Sequence, residues 1–390
     1  MASDDVQLQP GAFLLGRFEV VSQIGGSRRS RIYRCLDKSG ASASSVALKV
    51  EAAHTGWALL RSEAEVFQVL SGCHGVPQLI GFYSPQSGGV AARLERDVMA
   101  MELLGESVWA AQRHAGGKLS QAAAANIASQ MLSAIEAVHG RGFVHGDIKP
   151  SNFMFGRSVG ETAKVFLIDF GTARRHHDGD RPAQPRDSGA FRGTVHYGSA
   201  SALRGNSLIR HDDLWSLAYS LAEMVLGVLP WDRLCRRGAP KEEALRRVLA
   251  WKLAVERALQ HAKPHSSDPL KNAAAFLDKL PRPLKLLMRS LATLGEATKP
   301  DYQLVRGLIQ RLDPDNTGAA AVQSEVFGPE ADVRRKRAIA TAAGQLTPGQ
   351  SDAAQEEQRA KRARLPGAAS ERFDVAPAAV LGKSPIIVDA

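Results

Sequence analysis

The chain has 390 residues, 44% hydrophobic and 23% charged, with a formal net charge of +10 and a sequence pI near 9.7. That length holds one large or two medium domains, and no run reaches the roughly 18 apolar residues of a membrane span. A basic surface attracts acidic partners such as nucleic acid, anionic lipid, or acidic and phosphorylated protein, although a merely solvated basic face is as common. Cys35, Cys73 and Cys235 are far apart and match no metal spacing, which points to reduced thiols in the cytosol or nucleus. The opening MASDDVQLQP is acidic and polar, unlike a secretory signal.

From about residue 13 to 104 the pattern is short and alternating. RFEVVSQI, SRIYRCLD, SSVALKV, PQLIGFYS and DVMAMELL read as five strands. Between them, WALLRSEAEVFQVL has apolar residues at three-to-four spacing and reads as one helix. After ELLGES the chain becomes helical. SQAAAANIASQMLSAIEAVHG starts on Ser120, a plausible cap, and is rich in alanine. Two short apolar runs follow, NFMFG and VFLIDF, then a polar stretch from Thr172 to Arg192. DDLWSLAYSLAEMVLGVLPW is apolar almost all round and reads as a buried helix. Further helices are expected at 241–262, 281–294 and 301–312. The fold class read from this order is α+β and bilobal: a small N-lobe (13–104) and a larger, mainly α C-lobe (105–312), after a short tail (1–12). Beyond about Pro314, Ala, Gly, Pro, Gln and charge dominate, so 313–390 is expected to be a disordered basic tail. It carries RRKR (334–337) and KRAR (361–364).

The chemistry concentrates in VHGDIKPSNFMF (144–155) and VFLIDFGTAR. The first sets Asp147, Lys149 and Asn152 in a loop between a helix and a short strand, and the second puts Asp169 directly after an apolar strand. Phosphoryl transfer needs such a set. A carboxylate (Asp147) orients the substrate hydroxyl, a cation (Lys149) steadies the γ-phosphate, and oxygen ligands (Asn152, Asp169) hold Mg²⁺. Upstream, VALKV places Lys49 on a strand to pair the α- and β-phosphates, with Glu63 in the inserted helix as its ion-pair partner. Singly, these residues read as a strand-edge lysine, a turn aspartate and a solvated glutamate. Their order together carries the inference.

In MELLGES, HGDIKPSNF, IDFGTAR, FRGTVHYGS, RHDDLWSL, LPW and KPDY the chain resembles a eukaryotic protein kinase of the casein kinase 1 family, in its tau-tubulin kinase branch. The resemblance spans roughly 13–312 and implies ATP and Mg²⁺ as cofactors and Ser/Thr transfer to protein substrates. It implies nucleotide contacts at Ile24, Gly25, Gly26, Ser27, Ile32, Ala47, Lys49 and Glu63, a gatekeeper at Met101 and an adenine hinge from Glu102 to Leu104. Thr194 matches a threonine that bridges the catalytic aspartate and lysine. Asp213 matches a residue that anchors the catalytic-loop backbone.

Three departures set further expectations. Gly146 stands where kinases carry an arginine that receives activation-loop phosphate, so that control is expected to be absent. His196 replaces an arginine linked to primed substrates. A smaller priming benefit is expected, growing as pH falls through the histidine range. In IGGSRRSRIY, Ser27 and Ser30 replace two glycines of the phosphate-covering hairpin, which is expected to weaken ATP binding through strain wherever φ is positive. A pseudokinase scaffold is therefore the alternative function. Arg174, Arg175, Arg186 and Arg192 favour acidic or phosphorylated substrates. No motif supports a specific nucleic acid, no membrane contact is expected, and a cytoplasmic or nuclear monomer is the expectation.

Overall fold

The structure is a computed structural model that describes residues 8–27, 29–40, 42–51, 59–85, 96–157, 163–176, 191–235, 241–260, 268–293 and 299–343. The N-terminal lobe contains β1 (Phe13–Leu14), β2 (Phe18–Gly26), β3 (Ser30–Asp37), β4 (Ser44–Glu51), α1 (Leu59–Val69), β5 (Leu79–Tyr83) and β6 (Val98–Glu102). These strands form an antiparallel sheet in the order β1-β2-β3-β4-β6-β5. The five strands expected from alternation are all present, and the two-residue β1 is added at the edge. One face buries Phe18, Val20, Tyr33, Cys35, Val46, Leu48, Val50, Val98 and Ala100 as a small core. Strand alternation then turns the odd-numbered Ala47 and Lys49 of β4 to the other face.

The helical lobe begins with α2 (Val108–His114) and α3 (Gln121–Gly140). Ser120 Oγ accepts from Ala123 N at 3.2 Å, so the cap read in the sequence is made. β7 (Phe143–Val144), β8 (Phe153–Phe155), β9 (Val165–Leu167) and β10 (Arg174–Arg175) follow. The β8–β9 pairing sets Phe153 against Leu167, and Ile168 N donates to Asn152 O at 2.9 Å. Asn152 and Asp169 thus arrive at the same end of one hairpin. β10 pairs with β7 across Arg174 and Val144.

The remaining helices are α4 (Ala200–Leu203), α5 (Arg210–Leu226), α6 (Lys241–Gln260), α7 (Asp268–Asp278), α8 (Arg282–Thr293), α9 (Tyr302–Gln310), α10 (Gly318–Glu325) and α11 (Pro329–Ala343). α5 is buried from His211 to Met224 and stops at Gly227, whose φ of 82° suits only glycine without strain. Among the described residues no helix is long and apolar enough to cross a membrane.

The expected disordered tail is corrected over part of its length, since 318–325 and 329–343 are helical. Composition undercounts what a few apolar residues gain on a preformed surface. Val322 and Val326 are fully buried, and Phe327 meets the Phe155 ring at 5.1 Å. The first turn of α10 is fixed by Asp313, whose carboxylate accepts from Thr317 N at 2.9 Å and Gly318 N at 2.7 Å. KRAR (361–364) lies outside the described residues.

Candidate active site

Lys49 projects from β4, in register with Ile32 of β3 and Met99 of β6. Its Nζ lies 2.7 Å from both Glu63 carboxylate oxygens and 3.1 Å from Asp169 Oδ1. Burial works against the charge on Lys49, but the neighbouring charges of Asp169 and Glu63 overcome it and hold the pKa above the ordinary lysine value. Burial raises that of Glu63, with Lys49 opposing. Asp169 is lowered to about 2, chiefly by the Lys49 charge. It is therefore an ionised acceptor across the whole physiological range.

Asp169 adopts a left-handed conformation (φ 67°, ψ 72°), unusual for a residue with a side chain. The next residue, Phe170, is buried between the rings of Phe67 on α1 and His145, each 5.4 Å away. That packing holds α1, and with it Glu63, against the Asp169 turn.

The loop after β7 carries the second group. Lys149 Nζ sits 2.8 Å from Asp147 Oδ2 and 2.9 Å from Thr194 Oγ1. Thr194 N donates to Asp147 Oδ1 at 2.8 Å, so the threonine spans both side chains. Asn152 Nδ2 donates to the Asp147 carbonyl at 2.9 Å, leaving its amide oxygen as a possible metal ligand. Asp213 supports the loop from α5, accepting His145 N at 2.7 Å and Gly146 N at 2.9 Å.

The residues expected to contact nucleotide sit on β2, β3 and the hairpin between them, on β4, α1 and β6, and in the connection after β6. Ile24 is exposed on β2, Ala47 is buried on β4, and Met101 and Glu102 end β6. Glu102 N donates to Gln78 O at 2.9 Å, and Leu104 follows in the connection to α2. In the hairpin, Gly25 pairs with Ile32, and Ser27 N donates to Ser30 O at 2.7 Å. Gly26 is needed because a Cβ there would lie 2.9 Å from the Ser30 carbonyl oxygen. Neither Ser27 nor Ser30 has positive φ, so the strain expected of them is absent. Arg28 lies outside the described residues.

A protein kinase domain model matches residues 18–293. The chain belongs to the protein kinase family. It is 35% identical over 226 residues to a probable serine/threonine-protein kinase of Dictyostelium discoideum, covering 57% of this chain and 44% of that protein. It is also 38% identical over 174 residues to casein kinase 1-like protein HD16 of Oryza sativa subsp. japonica, covering 43% of this chain and 23% of that protein. The chain thus spans less than half the length of both curated relatives.

Two kinase-domain departures gain a physical reading. Gly146 has φ 78°, a conformation that strains any side chain, and a Cβ there would displace Leu208 Cδ1 from 2.6 Å, so arginine would be strained at this position. His196 is only 2% exposed. Its expected contact with a substrate phosphate, and the pH dependence tied to it, are corrected by that burial. Arg174, Arg175 and Arg192 are exposed, whereas Arg186 lies outside the described residues.

Sequence reasoning missed two supports. His139, on the apolar α3, joins Tyr302 OH at 2.7 Å to Asp213 Oδ2 at 2.8 Å. Lys252, within LAWKLAV, is fully buried under the segment after Thr194. It donates to the carbonyls of Val195 and His196, each at 3.1 Å, and to that of Gly198. The one signal available was an ionisable residue amid apolar ones.

Proposed function

We propose that the chain is an ATP-dependent serine/threonine protein kinase of casein kinase 1 type, in the tau-tubulin kinase branch. The observation that carries this reading is the Lys49–Glu63–Asp169 cluster beside the Asp147–Lys149–Thr194 cluster. The fit to Mg²⁺ rests on donor chemistry: an ionised Asp169 in a left-handed turn, and an Asn152 amide oxygen at the end of the same hairpin. When bound, Mg·ATP supplies the γ-phosphoryl group. Asn152 and Asp169 would hold the metal, and Lys49, fixed by Glu63, would orient the α- and β-phosphates. Ile24, Gly25, Gly26, Ser27, Ile32, Ala47, Met101, Glu102 and Leu104 would enclose the nucleotide.

Asp147 receives the proton of the substrate hydroxyl, and Thr194 holds its carboxylate at that task. Lys149 faces the transferring group and stabilises the charge that develops there. Exposed Arg174, Arg175 and Arg192 favour acidic or phosphorylated sequences near the target hydroxyl. The protein acts as a monomer in the cytoplasm or nucleus, without a membrane or a specific nucleic-acid partner.

Labelling of casein and tubulin from radiolabelled ATP tests the reading. Phosphoserine and phosphothreonine are expected, with losses of at least ~10²-fold in Lys49→Met and Asp147→Asn. Phosphotyrosine alone would overturn the assignment. Nucleotide binding without transfer would instead favour the scaffold reading.

A further inference from the structure

Beneath the segment that carries Thr194, three side chains from three elements converge inside the helical lobe. His196 follows Thr194 by two positions, Glu223 lies on α5, and Asp232 opens the 3-10 turn Asp232–Cys235. One donor atom from each lies within 4.8 Å of the other two. His196 and Glu223 are 2% and 3% exposed, and the Asp232 side chain is 20% exposed. Glu223 is buried and Asp232 only partly so, and a carboxylate this far from water favours a cation beside it.

His196 Nε2 lies 3.0 Å from Asp232 Oδ1, yet neither ring nitrogen makes a hydrogen bond. A buried polar group left so carries its full desolvation cost. Close but misaligned donor atoms are what ligands around one ion show, because each aims at the ion and not at its neighbour. Bonds of ~2.0–2.2 Å in a tetrahedral site leave ligand atoms roughly 3.3–3.5 Å apart.

We infer that His196, Glu223 and Asp232 form a structural site for a divalent cation of the Zn²⁺ class. One imidazole nitrogen and two carboxylates match zinc donor chemistry. A neutral imidazole with two carboxylates also balances a dication, so the buried set becomes neutral. The surroundings supply orientation of the kind that ligand shells need. The Tyr197 hydroxyl donates to Glu223 Oε2, and Trp231 Nε1 donates to the His196 carbonyl at 2.8 Å. Lys252 contacts that carbonyl rather than the ring. The site shares no residue with the Asn152–Asp169 pair. Filling it would tie the Thr194 segment to α5 and the following turn, and so hold Thr194 against Asp147 and Lys149.

Elemental analysis of the full chain, stripped with chelator and dialysed against Zn²⁺ in excess Mg²⁺, tests this inference. Wild type is expected to retain about one zinc per chain, and its thermal midpoint should rise by several degrees over the chelated form. Asp232→Asn, at the partly exposed position, and Glu223→Gln should each weaken zinc binding ~10–100-fold. Cys73→Ser should leave it unchanged. No retained zinc, or wild-type affinity in both variants, would overturn the site and leave an ion-paired histidine. If the variants unfold, the Co²⁺ spectrum of wild type decides. Tetrahedral bands without thiolate charge transfer support the site, and a thiolate band places the metal on cysteine and refutes it.

Discussion

Ser27 and Ser30 stand where a phosphate-covering hairpin would carry glycine, and the structure gives each a local use. Ser27 Oγ accepts from Arg29 N at 3.1 Å, and its carbonyl accepts from Arg31 Nη1 at 2.9 Å. Ser30 is buried at the start of β3 and paired with Glu51. Since neither has positive φ, glycine has no left-handed strain to relieve. The expectation of weakened ATP binding accordingly shrinks. Ser27→Gly/Ser30→Gly should change the KM for ATP by less than ~threefold, with a stability loss of about 0.5–1 kcal/mol per site from the freer unfolded chain. Steady-state kinetics and urea melts check this pair. A tenfold fall in KM would show that the serines do obstruct the phosphates.

Elements were legible where their own residues determined them. The five long N-lobe strands alternate because one face of each meets a core, and α5 is apolar all round because it is enclosed all round. The loop after β7 and the Asp169 turn were legible because their charged and amide residues stand at fixed spacing next to apolar strands. α7, α10 and α11 were not, since their stability comes from surfaces distant in sequence. α11 is latched by Arg335, which contacts Asp332 and Glu106 and donates to Val326 O at 3.0 Å. Glu106 in turn sits 2.9 Å from His114 Nδ1. Burial acts to raise the Glu106 pKa, but its bonds to His114 and Arg335 outweigh this and hold it low. The contact joins α11 to the connection that leads from β6 into α2. RRKR is therefore partly engaged, with Arg334 3.0 Å from Glu330. Arg335→Ala should raise hydrogen exchange across 329–343 at least ~tenfold, in line with losing a partly buried charged pair. Exchange in β2 and β3 should stay unchanged. Unaltered protection of α11 would mean that apolar contact alone holds it.

At the scale of the molecule, each lobe holds ionised carboxylates fixed by hydrogen bonds, and the acid response of the fold follows from them. Asp213 is 1% exposed. Its burial tends to raise the pKa, yet bonds from His139 and the Gly146 amide bring it below the ordinary aspartate value. Asp37 is lowered too, chiefly by its hydrogen bonds from Arg17. For a carboxylate depressed in the folded state, the stabilisation is complete above its unfolded pKa near ~3.9 and disappears as pH falls through the folded value. Asp213→Asn should thus be less stable than wild type by about 3 kcal/mol at neutral pH, and the gap should close below pH ~4. Urea titrations at several pH values measure it, and a gap independent of pH would contradict the charged role. In the proposed kinase reaction, catalysis would depend on another ionised carboxylate, Asp169. The decisive measurement is the rate of γ-phosphate transfer to casein by the full chain against Asp169→Asn at saturating Mg·ATP. A loss of at least ~10²-fold is expected with the fold intact by circular dichroism; equal rates in the two proteins would contradict the kinase reading.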